Sequence, residues 1–325
     1  MNCNYLERKR FAALCVLTAV GAFGVFSSPA KGEFVAAVRE RSTSFFISAV
    51  GEIYALNDER LAKAVILTDS SQHPFRWQSA VRSFARWQSQ WIVADGSKRL
   101  LQFRANGVYA GVVEVPIRVG RLVTAGNYLW ALNLLATKPD EQLWYSADGK
   151  KFSPLKTLGR QRPFDSPLEN LVLLGGDRQG DLYAASMVGP PILRRVWPPK
   201  RALEIRLAYS RSAFRAGLEK PEGLIDDVSS YSQPVRDVLG LDDASVVIVR
   251  NREDIRNASG KLELWSGRRA DRYDSVGHHV GTAVFPRSIN WIASTNGTSI
   301  RGINKAGEIA IAKWETPIPG EIVKP

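Results

Sequence analysis

Short apolar runs recur along this chain, rich in aromatic and β-branched side chains and separated by clusters of glycine, asparagine, aspartate and serine. One five-residue form appears six times: Ile53-Tyr-Ala-Leu-Asn57, Trp91-Ile-Val-Ala-Asp95, Leu129-Trp-Ala-Leu-Asn133, Leu182-Tyr-Ala-Ala-Ser186, Val246-Val-Ile-Val-Arg250 and Trp291-Ile-Ala-Ser-Thr295. The starts lie 38, 38, 53, 64 and 45 residues apart. Runs of this length and composition, bounded by turn residues, predict β-strands.

The second unit has the most regular layout. After its apolar run, Gly96-Ser97-Lys98 supplies a turn, Leu100-Leu-Gln-Phe103 resumes the strand pattern, and Asn106-Gly107 turns the chain into Val108-Tyr-Ala-Gly-Val-Val113. Asn-Gly suits a tight hairpin because both central residues of a type I′ turn need positive φ. The third unit repeats the plan with Gln142-Leu-Trp-Tyr145 and the turn Asp148-Gly149. The fifth continues into Lys261-Leu-Glu-Leu-Trp265, and the sixth into Ser299-Ile-Arg-Gly-Ile303 and Glu308-Ile-Ala-Ile-Ala-Lys-Trp314. A strand pattern returning every ~40–50 residues marks a repeat architecture, above all a β-propeller. One blade leaves both of its faces apolar, and radial stacking buries each blade against the next. The expected fold is all-β: a propeller of six four-stranded blades, with seven as the rival count because of the long gap between the fourth and fifth units.

The order strand, turn, Leu-x-Phe, Asn-Gly, strand over residues 91–113 resembles an NHL-type repeat. The resemblance extends loosely over residues 34–314. It implies the propeller architecture and brings no chemistry with it.

Residues 1–30 read as a secretory signal. Arg8-Lys9-Arg10 form a positive start, Phe11 to Phe26 carry no charge, and Ser28-Pro-Ala30 offers small residues for cleavage. The uncharged stretch is short for a bilayer span. Residues 31–325 are then one propeller domain with an insertion near 187–230, in which 209–222 reads as a short helix or a decorated loop. The expected location is periplasmic or secreted, with no transmembrane span after cleavage. Both cysteines, Cys3 and Cys15, lie in the signal, so thiol catalysis and cysteine-ligated metal are set aside for the mature chain. Phe34-Val-Ala-Ala-Val38 and Phe45-Phe-Ile-Ser48 are expected to supply strands to the first or last blade. The ring would then close by pairing the two ends, which removes free sheet edges.

Charge adds a direction. The chain carries 44 Lys and Arg against 32 Asp and Glu, a formal net of +12. Removing residues 1–30 takes away Arg8, Lys9, Arg10 and Glu7 and leaves +10. Such a balance attracts anionic surfaces. Arg194, Arg195, Lys200 and Arg201 are the candidate binding residues, at the start of a basic stretch that reaches Lys220. The partner expected for them is an envelope or extracellular protein or an acidic glycan. Export and the lack of a recognisable motif argue against nucleic acid.

Catalytic patterns are sparse. His73, His278 and His279 are the histidines, and adjacent side chains on an extended segment point to opposite sides, which keeps His278 and His279 from sharing a metal. Asp242-Asp243 lies in turn chemistry, Gly240-Leu-Asp-Asp-Ala244, and Gly175-Gly176-Asp177 lacks the remainder of a phosphate loop. No catalytic residue, metal ligand or cofactor is assigned. The sequence therefore reads as an exported, non-enzymatic, monomeric ring that binds or scaffolds a partner, with anionic partners among the candidates. The alternative is a metal-assisted hydrolase or lyase with its site at the central channel.

Overall fold

The computed structural model describes residues 33–40, 43–57, 60–68, 80–136, 141–155, 172–186, 192–201, 203–207, 235–251, 253–256 and 262–316. The proposed signal, His73 and the 209–222 insertion lie outside these residues.

Six of the antiparallel sheets are the blades of a ring, a six-bladed β-propeller, and a two-stranded hairpin forms a further sheet. Blade one contains β1 (Phe34–Glu40), β2 (Thr43–Ser48), β3 (Glu52–Asn57) and β4 (Arg60–Ile66). Blade two contains β5 (Ser83–Trp87), β6 (Gln90–Ala94), β7 (Arg99–Phe103) and β8 (Tyr109–Glu114). Blade three contains β9 (Val119–Ala125), β10 (Tyr128–Asn133), β11 (Leu143–Ser146) and β12 (Ser153–Pro154). Blade four contains β13 (Val172–Gly176), β14 (Leu182–Ser186), β15 (Ile192–Trp197) and β16 (Leu203–Arg206).

Blade five is β17 (Val235–Gly240), β18 (Val246–Arg250), β21 (Arg269–Tyr273) and β22 (His279–Val284), with a separate hairpin of β19 (Glu253–Arg256) and β20 (Leu262–Trp265) inserted after β18. Blade six is β23 (Trp291–Thr295), β24 (Ser299–Ile303) and β25 (Ile309–Lys313), three strands among the described residues.

The structure departs from three sequence expectations: which strand each run marks, where residues 261–265 fall, and closure by pairing the two ends, since among the described residues the first and last blades share no sheet. The recurring pentapeptide occupies the second strand in blades two to five, but the third strand in blade one and the first in blade six. Both faces of a blade are buried, so its inner strands all read as nearly continuous apolar runs, and pattern alone does not say which strand it marks. β2, for example, is buried at five of its six positions. The second departure concerns residues 261–265. Their pattern predicts the next blade strand after Val246–Arg250, but Leu262–Trp265 falls in the inserted hairpin, and Arg269–Tyr273 takes the blade position.

The first and last blades meet face to face and share no sheet. Phe34, Phe46 and Leu56 pack against Ala293 and Ile303. The Phe34 amide donates to the Lys305 carbonyl at 2.8 Å. In this link, an amide at or just before a first strand reaches the loop between the second and third strands of the preceding blade. It also joins blade two to blade three at Ser97 and Val119 (3.2 Å) and blade five to blade six at Gly267 and Ile289 (2.7 Å). Ring closure therefore repeats an ordinary blade junction. The chain end runs back to blade five, where the Thr282 and Glu315 backbones exchange hydrogen bonds of 3.0 and 2.8 Å.

Large aromatics fill the spaces between blades. Trp91 lies in the core shared by blades one and two, with its ring 5.0 Å from Phe45, edge to face, and its indole N–H donating to the Ala105 carbonyl at 3.2 Å. Trp130 and Trp197 stand 5.5 Å apart between blades three and four, with Tyr128 and Tyr145 around them. Such rings bury large apolar areas in favourable tilted or edge contacts.

The first strands approach closely enough to need glycine. A Cβ on Gly176 would sit 2.4 Å from the Thr124 carbonyl oxygen, and one on Gly175 would sit 2.6 Å from that of Val238. Both obstacles are backbone and cannot swing aside. Gly176→Ala is expected to cost about 2 kcal/mol or more of folding stability through overpacking. A urea midpoint unchanged from wild type would contradict this.

Candidate functional site in the ring axis

Charged residues on three alternate blades meet at one point. Arg39 comes from β1, Arg121 from β9 and Asp237 from β17, the first strands of blades one, three and five. First strands that are not neighbours around the ring can touch only across its axis, so the cluster lies in the central channel. Asp237 is fully buried. Its Oδ2 accepts hydrogen bonds from Arg39 and from the Ile292 amide of blade six, the latter at 2.8 Å. Its Oδ1 accepts from Arg121 Nη2 at 3.5 Å. Arg39 Nε also donates to the Ile292 carbonyl, and Ser44 donates to the carbonyl of Ala293.

These contacts complete the backbone of β23. An innermost strand turns one edge toward the axis, and a buried peptide group without a partner is costly. Asp237 and Arg39 supply the acceptor and donor that Ile292 needs. Among the described residues of this cluster, two guanidiniums share one carboxylate, an excess of one positive charge. Burial lowers the pKa of the Arg121 guanidinium from its ordinary value; Asp237 opposes that shift and Arg39 adds to it.

Sequence reasoning missed all three residues. The signal was present as a charge inside an apolar strand run: Val38-Arg39-Glu40, Val119-Gly-Arg-Leu-Val123 and Val235-Arg-Asp-Val-Leu239. What brings together positions 116 and 198 residues apart was not readable.

The basic residues singled out from sequence sit on the outer half of blade four. Arg194 pairs with Glu204 at 2.5 Å. Arg195 and Arg201 both reach the buried carboxylate of Asp181, at 3.4 and 2.6 Å. Lys200 is exposed in a short 3-10 turn, Pro199–Arg201. Three arginines thus share two carboxylates, and Arg195 is itself buried, held also by the carbonyls of Arg201 and Ser275. His278 faces Asp274 at 3.2 Å, whereas His279 faces Asp271 at 3.2 Å. Adjacent on the chain, the two have different partners, as alternation requires. Asp242 and Asp243 lie in the β17–β18 turn and pair with Arg178 and Arg272. Among the described residues, no three His, Cys, Asp or Glu side chains gather as a metal-binding group.

Asp177, in the β13–β14 turn, behaves differently from the paired carboxylates. Its Oδ1 accepts from the Asp181 amide at 2.8 Å, while its buried Oδ2 has no hydrogen-bond partner. Burial raises its pKa to about 6, backbone amides of the turn oppose that shift, and the nearby Asp181 adds to it.

No family model and no curated protein matches the chain. Among solved structures it is similar to the WD40 β-propeller domain of Doa1, at 12% identity and a TM-score of 0.49, covering 87% of this chain and 94% of that one. XC5397 from Xanthomonas campestris, a gluconolactonase, is similar at 11% identity and a TM-score of 0.49, with 87% and 86% covered. YCF48 bound to a D1 peptide is similar at 9% identity and a TM-score of 0.48, with 89% and 83% covered. At these identities the likeness concerns the fold alone. No helix among the described residues is long and apolar enough to cross a membrane.

Two measurements probe this region. Asp237→Ala leaves two facing guanidiniums and an unpaired Ile292 amide, so a stability loss of about 3 kcal/mol is expected in urea denaturation. A loss within the noise of a surface substitution would show that the cluster does not hold the ring. Asp177 binds its proton more tightly in the fold than in the unfolded chain. Its contribution to stability is therefore full below the unfolded value of 3.8 and is lost as pH rises through about 6. Asp177→Asn is expected to be more stable than wild type at pH 7.5 by about 1–2 kcal/mol, with the gap shrinking at pH 4.5. Equal gaps at both pH values would refute the assignment.

Proposed function

We propose that this protein is an exported, non-enzymatic propeller that binds or scaffolds an acidic partner in the cell envelope or outside the cell. The observation that carries this reading is the axial cluster. Asp237 and Arg39 are engaged in joining blades one, three, five and six, and the charges of the described cluster sum to one cation rather than to an acid–base pair. Two further features support it. The uncharged stretch after Arg8-Lys9-Arg10 has the form of a secretory signal. The chain outside that stretch carries net +10, which favours association with polyanions. The ring offers loops at both faces that vary without disturbing the blades. The partner fitting this charge is an acidic protein or an acidic glycan.

The test uses the full chain expressed with its own N-terminus. Terminal sequencing of the exported product is expected to start near residue 31. Labelled polyglutamate and heparin, followed by fluorescence anisotropy, are expected to bind at about 50 mM salt and to weaken steeply by about 300 mM, as screened attraction does. Polylysine is the control. Failure of both polyanions to bind at low salt, or equal binding of polylysine, would reject the acidic-partner reading.

A further inference from the structure

We infer that the ring axis holds a receptor for a single carboxylate group, with Arg121 as its principal contact and Arg39 as the second cation. The inference deepens the acidic-partner reading and rests on it for the source of the carboxylate, but not for the site itself.

The two guanidiniums are used unequally. Arg39 is committed twice, to Asp237 and to the Ile292 carbonyl. Arg121 makes one contact within the described residues, the 3.5 Å approach to Asp237 Oδ1. A guanidinium carries five N–H donors in a planar fork. None of the remaining donors of Arg121 counts among the buried polar atoms without a partner, and its side chain keeps 23% of its surface exposed, so these donors face solvent within the channel. Arg39 is 15% exposed beside it, while Asp237 is sealed.

Charge sets the ligand class. Among the described residues of the cluster, two guanidiniums against one carboxylate leave one positive charge, and one monovalent anion neutralises it. A carboxylate also matches the fork of Arg121 with two parallel N–H···O bonds. In a channel walled by protein, such a pair is less screened than on an open surface. Ser83, on the neighbouring first strand, is turned to the Leu122 backbone: its hydroxyl accepts from the Leu122 amide at 2.9 Å and donates to the Leu122 carbonyl at 3.5 Å. The carboxylate has two sources to choose between, a free small acid or an acidic side chain of the partner, and the chemistry at Arg121 is the same for both.

The experiment is saturation-transfer NMR on the full-length mature protein with acetate as the probe, at constant ionic strength maintained with chloride. Transfer to the acetate methyl is expected for wild type and is expected to be lost in Arg121→Gln. Arg121→Lys, which keeps the charge but not the fork, is expected to weaken it; this variant carries the test if Arg121→Gln does not fold. Arg178→Gln, in the exposed β13–β14 turn where the side chain pairs only with the exposed Asp242 among the described residues, should leave acetate transfer unchanged. Absence of transfer from wild type, or equal transfer from folded Arg121→Gln, would overturn the inference. Displacement of acetate by hexaglutamate would assign the carboxylate to a partner's side chain, and retention of acetate would assign it to a free acid; both leave the receptor standing. Polyglutamate binding that persists in Arg121→Gln, with no acetate signal in wild type, would discard the axial receptor while keeping the acidic-partner reading.

Discussion

Asp237 is the constraint on which the closed ring depends. A six-bladed ring must close with no spare strand, and the chain solves this with a carboxylate at which four blades meet. The carboxylate is buried where an isolated charge would be prohibitive. It is tolerable because guanidiniums approach from two other sides of the axis and a backbone amide completes its hydrogen bonding. In return, β23 acquires partners for its axial edge, and the last blade gains a fixed position against the first.

The same device is used elsewhere in the molecule. Asp95 is buried beside Arg99, Asp181 beside Arg195 and Arg201, and Asp271 beside Arg250 and Arg269. For Asp271, burial alone would raise the pKa; Arg250, His279 and Arg269 together overcome it and hold the carboxyl well below its ordinary range. Part of the basic composition is therefore engaged in balancing acids that tie strands and blades together; such pairs leave the net charge unchanged and reduce only the number of cations open to a partner. This is also why the basic stretch at 194–201 is less available in the fold than along the chain.

The axial cluster links architecture to function through an inequality of numbers. A second carboxylate beside Arg121 would make the cluster neutral. With two guanidiniums to one carboxylate among the described residues, closure leaves the Arg121 side chain partly exposed beside a sealed Asp237. Asp177 is the converse case, a carboxyl without a cation, and its response is to keep its proton more tightly. Both illustrate how an unmatched polar group in a ring interior becomes the responsive part of an otherwise well-paired structure.

The sequence by itself determined the class of fold. Runs such as Trp91–Asp95 and Leu129–Asn133, with Gly, Asn-Gly and Asp-Gly between strands, specify local hairpins and their repetition, because strand burial and turn geometry are local properties. It did not determine which strand of a blade each run becomes, as Ile53–Asn57 and Trp291–Thr295 show, since every inner strand faces a neighbour on both sides. Nor did it reveal the axial cluster. Arg39, Arg121 and Asp237 are ordinary charged positions along the chain, and only closure of the ring, a contact between its most distant segments, brings them within reach of one another.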